Sequence, residues 1–104
     1  MNTIEIFKAL SNETRMNILK WLKKPEDNFP KQGLHIPDGD SFEGGVCVGS
    51  IQEKAGVSQS TISHYLDIMQ RVGILESARY GKWTYYRRNE ETLQEIAKFI
   101  KEEL

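Results

Sequence analysis

IQEKAGVSQSTISHYL, residues Ile51 to Leu66, reads as a short helix, a tight turn and a second helix. Gly56 supplies the backbone freedom that a sharp turn between helices requires. Ser58 suits the N-cap, where its hydroxyl accepts a bond from an amide one turn on. The second helix, expected over Ser58 to Val72, carries Ile62, Tyr65, Leu66, Met69 and Val72 at helical period. The opposite side carries Gln59, Ser60, Ser63, His64 and Asp67. A merely solvated face is usually rich in Lys and Glu, and this one is not. Short hydroxyls, an amide and an imidazole suit close approach to base edges and phosphates in a DNA major groove.

Working outward, Val46 to Ala55 is expected to be the first helix of the pair, entered by a short strand at Val46–Val48. Gly73 is placed to end the second. ILESARYGKWTYYRR follows, with two β-prone runs, Leu75 to Tyr80 and Trp83 to Arg88, around Gly81–Lys82. This spacing predicts a β-hairpin over 75–88, a wing with Arg79 and Lys82 at its basic tip. Toward the N-terminus, Thr3 to Leu10 forms a short amphipathic helix with Ile4, Phe7 and Leu10 on one face. Ser11 or Asn12 caps a second helix, Glu13 to Lys24, whose expected buried stripe is Met16, Leu19, Trp21 and Leu22, and Pro25 stops it. From Glu26 to Gly45 the composition shifts to Pro, Gly and Asp, which predicts a long loop or insertion. Residues 90–104 read as a last helix, with Leu93, Ile96, Ala97, Ile100 and Leu104 on one side.

The fold class is therefore mainly α with a small β-hairpin wing, one winged helix-turn-helix domain over residues 1–104, with motif helices in 47–72. A chain of 104 residues supports one modest core and often completes its apolar burial by dimerising. It has no long apolar run and no signal-peptide pattern, so no membrane partner is expected. The single cysteine, Cys47, excludes an intramolecular disulfide and fits a reducing cytoplasm.

The formal net charge of −1 and pI near 6.1 look wrong for a DNA binder, but the charge is segregated. Residues 1–24 carry net +3, 25–53 net −5, 54–88 net +4 and 89–104 net −3. The positive charge lies on the helix pair and the wing, and local potential governs phosphate attraction.

Three ordered blocks, ALSNETRMNILKWL (Ala9 to Leu22), VSQSTISHYLDIMQRVGIL (Val57 to Leu75) and the hairpin ending in TYYRR, resemble the ArsR-type winged-helix repressors of bacteria. The resemblance covers nearly the whole chain except Glu26 to Gly45. It implies a symmetric homodimer packed through the first and last helices, with Ile4, Phe7, Leu93, Ile96 and Ile100 at the interface. The apolar stripes agree, because one subunit has too little chain left to cover them. Two recognition helices would then enter successive major grooves about 34 Å apart on a near-palindromic operator. The implied contact residues are Ser58, Gln59, Ser60, Thr61, Ser63 and His64 on the helix and Arg79 and Lys82 on the wing. Family members mostly repress and release DNA on a signal; here the effector is not identified by any residue pattern.

The departures are specific. Metal-responsive members carry a Cys-Val-Cys motif at the start of the first motif helix, whereas this chain has Cys47-Val48-Gly49-Ser50. The other common site uses His and carboxylates on the last helix, which here contains no His. Neither usual metal site is expected, nor any cofactor. Cys47 reads either as a small buried hydrophobe or as a redox- or electrophile-sensitive thiol. The insertion, with His35, Asp38, Asp40 and Glu43, reads as a solvated acidic loop, an effector site or a docking element; EF-hand spacing is absent. Trp83, Tyr85 and Tyr86 read as hairpin packing. A winged-helix module that binds protein instead of DNA is the competing class. An enzymatic role lacks any nucleophile elbow, phosphate loop or metal cluster, and His35 and His64 are far apart in sequence.

Overall fold

Four short polar side chains set the starts of the main helices in the computed structural model, which describes residues 1–104. Asn2, Asn12, Ser58 and Asn89 each accept a bond from the backbone N–H three residues on, opening α1 (Thr3–Leu10), α2 (Glu13–Lys23), a long helix at Gln59–Arg71 and the last one at Glu90–Glu103. Between α2 and the long helix come a single helical turn, α3 (Pro25–Asn28), a two-residue strand, β1 (Val46–Cys47), and α4 (Val48–Ala55). The long helix is α5; β2 (Leu75–Tyr80), β3 (Trp83–Arg88) and α6 (Glu90–Glu103) complete the chain. No helix is long and apolar enough to cross a membrane.

The expected turn is present. Gly56 ends α4 at φ +68 with its N–H bonded to the Gln52 carbonyl. At the far end of α5, Gly73 (φ +88) donates to Gln70 O and Ile74 donates to Met69 O. This paired arrangement satisfies two terminal carbonyls and buries Ile74 beneath the helix end. Ile62, Leu66 and Met69 form the buried edge of α5 and pack with Ile6, Ile18, Ile51 and Ile74 into the core.

The sheet runs β1-β3-β2, antiparallel throughout. Tyr80 pairs with Trp83 across Gly81–Lys82, so the hairpin has the two-residue turn the sequence predicts, with Gly81 at φ +63. Val46 pairs with Tyr86 and Cys47 with Tyr85, making the third strand one residue shorter than expected. The first motif helix accordingly starts at Val48. Cys47 precedes it.

Some expectations hold and others are corrected. α2 stops before Pro25, as expected, and Pro25 itself opens α3, because the N–H it lacks would be unbonded at a first turn anyway. The side chain of Asn28 then donates to the carbonyls of Trp21 and Lys24, closing the end of α2. In α2 the core-facing residues are Ile18, Leu19 and Leu22, while Met16 is 38% exposed, since it lies on the opposite side of the helix from Ile18.

Beyond α3 the 26–45 segment is an irregular loop with Asp38, Asp40 and Glu43 exposed, as expected, but it is anchored to the sheet. Pairing of Tyr80 with Trp83 and Ala78 with Tyr85 puts Tyr80, Trp83 and Tyr85 on one face of the sheet. The insertion lies against that face. His35 stacks on Trp83, the Tyr80 hydroxyl donates to Ser41 O, and Arg87 donates to Glu43 O. Tyr85 is only 1% exposed, although it lies outside the main core cluster.

Ile96 is corrected as well. It is 6% exposed and belongs to the core of its own subunit, because the apolar side of α6 is wide enough to face two ways. Ile4 at 61% and Ile100 at 47% stay exposed, with Phe7 and Leu93 half-buried between them and the core.

Candidate nucleic-acid interface

Ser58 holds the start of α5 with both functions of its hydroxyl. Its Oγ accepts from Thr61 N at 3.2 Å and donates to Thr61 Oγ1 at 2.9 Å. Ser60 Oγ is 3.2 Å from the same oxygen. Thr61 is thus half-buried and engaged within the cap, which makes its role local. Gln59, Ser60, Ser63 and His64 are exposed, and no apolar side chain interrupts them. Gln59 Nε2 donates to Ser63 Oγ at 3.1 Å, one helical turn away. Asp67 pairs with Arg71 at 2.8 Å further along, so its charge is partly offset.

The wing stands beside this helix. Residues of α5, α4 and β3 enclose an open groove of about 410 Å³. Gln59 and Ser63 line one side of it, and Lys82, Thr84 and Tyr86 the other. Arg79 pairs with Thr84 in the register and so projects from the same sheet face. Its Nε donates to Gly81 O at 2.8 Å, bracing the turn. Lys82 Nζ sits 5.1 Å from the Trp83 ring centre.

Tyr86 is the groove residue that sequence reasoning missed. Burial pushes its phenol pKa above the usual 10.0, and the Asp67 carboxylate adds to the rise. The hydroxyl therefore stays a neutral donor. Alternation along β3 was the available signal, since Thr84 and Tyr86 must face away from Trp83 and Tyr85. His35, read as part of an acidic loop, is the other omission; no local pattern links it to Trp83.

Cys47 lies at the head of α4, half-buried, with Sγ 3.2 Å from Ser50 Oγ and its backbone N–H bonded to Gln32 Oε1 at 3.0 Å. One thiol, one hydroxyl and one amide do not fit a soft metal ion, which wants several thiolate or imidazole donors. No three His, Cys, Asp or Glu side chains gather elsewhere in the molecule.

Turn-linked α4 and α5, packed on α1 and α2 and followed by a two-stranded wing, define a winged helix-turn-helix protein. A model of bacterial regulatory proteins of the arsR family matches residues 42–77. The chain is 47% identical to the HTH-type transcriptional regulator YbzH of Bacillus subtilis over the full length of both. It is 30% identical to the transcriptional repressor SdpR of the same organism, over 86% of this chain and 79% of that one. Among solved structures, it superposes with TM-score 0.67 on an ArsR-like transcriptional regulator from Rhodococcus sp. RHA1, at 25% identity over 95% of this chain and 76% of that one. The homodimeric winged helix-turn-helix DNA-binding domain of a Mycobacterium bovis protein, solved by NMR, matches with TM-score 0.63 and 25% identity, over 90% and 70% of the two chains. The chain belongs to the ArsR family of bacterial transcriptional regulators.

Proposed function

We propose that this protein is a homodimeric repressor that binds a near-palindromic DNA operator in the cytoplasm, acting as a regulator and not as an enzyme. The observation that carries the reading is the exposed polar edge of Gln59, Ser60, Ser63 and His64, of which Gln59 and Ser63 face Lys82 across one groove. In this reading Gln59 and Ser63 contact base edges. Ser58, Ser60, Thr61 and His64 set or hold the phosphate contacts near the start of α5, and Arg79 and Lys82 hold the backbone from the wing. The exposed Ile4 and Ile100, with Phe7 and Leu93 behind them, supply the dimer surface, and Ile96 supports it from inside the subunit. SdpR is named a repressor and the M. bovis domain is a homodimer, which supports both halves of the proposal.

The test is selection of bound duplexes from a random pool, followed by a salt series on the winning sequence. Specific binding with a steep logarithmic fall in affinity with salt is expected. Retention of a protein partner with no duplex affinity at low salt would replace this reading by that of a protein-binding module.

Cys47 offers a place where a signal could enter, since it borders the groove and also touches Gln32 of the insertion through its backbone. If its thiol senses an oxidant or electrophile, Cys47→Ser leaves DNA affinity intact and abolishes the response. A response that survives the change removes the thiol from consideration.

A further inference from the structure

We infer that His35 is a positioning residue for the wing: its stack on Trp83 holds the hairpin tip, and with it Lys82, in the arrangement that meets DNA. This rests on the wing contact proposed above. The imidazole and indole rings are 3.7 Å apart between centres and within 6° of parallel, although the residues are far apart in sequence.

The tip needs such a support. An isolated two-stranded hairpin is marginally stable in water. The third strand reaches only Tyr85 and Tyr86, so the turn and the residues next to it project beyond the three-stranded part of the sheet. What steadies the projecting end is the insertion. His35 stacks on one face of the partly exposed Trp83, and Ser41 O receives the Tyr80 hydroxyl at 3.3 Å. The insertion is in turn tied down at both ends. Gln32 bonds Cys47 N and Ser50 Oγ at the head of α4, and Phe42 lies under the Arg87 guanidinium, 4.0 Å from ring centre to carbon.

The indole transmits the constraint to the charge. Lys82 Nζ lies 5.1 Å from the Trp83 ring centre, within range of attraction to the ring face. Fixing the indole therefore fixes the direction from which the ammonium leaves the turn. A charge held in place loses less freedom when it meets a phosphate, so the stack raises affinity without His35 touching DNA.

The experiment measures binding of four variants to a duplex selected from a random pool by the wild-type protein. His35→Ala is expected to weaken binding about two- to tenfold, the range for loss of an aromatic pair. His35→Phe, which keeps a stacking ring, restores most of it. In a Lys82→Ala background, adding His35→Ala has no further effect, because the positioned charge is already gone. The Trp83 indole N–H resonance of His35→Ala reports greater mobility by NMR relaxation.

Binding by His35→Ala within experimental error of wild type, while Lys82→Ala is weakened, overturns the inference alone. An additive loss in the double variant with a further drop in salt slope makes His35 a DNA contact and also overturns it. If Lys82→Ala itself binds like wild type, the wing contact fails and the inference falls with it. Loss of the cooperative thermal transition in both His35 variants would make this a residue of folding, which is contrary to the proposal.

Discussion

Gln59 and Ser63 are joined across one turn of α5, the Gln59 amide donating to the Ser63 hydroxyl at 3.1 Å. The bond fixes the rotamer of a long side chain that is otherwise free to sweep a wide arc. It leaves the Gln59 carbonyl oxygen and second amide proton without protein partners, the pair of groups that matches adenine in the major groove. Gln59→Ala is expected to reduce specific affinity by about 1–3 kcal/mol and leave affinity for unrelated duplex nearly unchanged. Ser63→Ala, which frees the glutamine and removes one shorter base contact, should also reduce specific affinity, but by less. Competition gel shifts with specific and random duplex check this; equal losses on both would assign Gln59 to the phosphates.

The terminal helices make a separable prediction. Ile4 and Ile100 are exposed in the subunit, whereas Ile96 of the same α6 is in its core. Ile4→Asp or Ile100→Asp should shift sedimentation toward monomer while the circular dichroism spectrum keeps its helical signal. Ile96→Ala should instead lower unfolding stability by about 2–5 kcal/mol through a cavity inside the subunit. Sedimentation and denaturant unfolding separate the two effects.

At Gly73 the cost is one of backbone alone. Its φ of +88 lies in the left-handed region, and an added Cβ would meet nothing nearer than the Thr92 side chain at 3.8 Å. Gly73→Ala should therefore destabilise by about 1–2 kcal/mol from conformational strain without a steric clash. Urea unfolding measures it, and an unchanged midpoint would count against the left-handed cap.

Tyr86 carries a pH prediction. The folded protein holds the phenol proton more tightly than the unfolded chain does, through burial first and Asp67 second. The stability tied to the neutral phenol is complete below the ordinary value of 10.0 and is lost as pH rises through the higher folded value. Above pH 10 the melting temperature of wild type should fall more steeply than that of Tyr86→Phe. Parallel curves for the two proteins would contradict this.

The parts of the molecule legible in sequence are those written in local rules. Ser58, Gly56 and Gly73 mark the ends of α4 and α5 by backbone chemistry that needs no distant partner, and Gly81–Lys82 does the same for the hairpin. The polar edge of α5 follows from the period of its apolar residues. What was not legible depends on tertiary partners. Met16 and Ile18 are both apolar, and the position of α5 and α4 decides which of them faces inward. His35 belongs to a segment without period, and its pairing with Trp83 arises from chain closure over the sheet. The double-facing α6 misled for a similar reason, since a wide apolar side does not say which half turns toward its own core.

Val46 and Cys47 form the shortest strand in the fold, yet they are at once the last rung of the sheet and the step into α4. Two pairs of peptide groups thus link the hairpin mechanically to the turn-linked pair α4 and α5. Because that linkage is made by main chain, it does not depend on the half-buried Cys47 side chain, whereas Val46 is also held by its burial in the core. A replacement of Cys47 that keeps the strand therefore leaves the tilt of the hairpin against α4 unaltered.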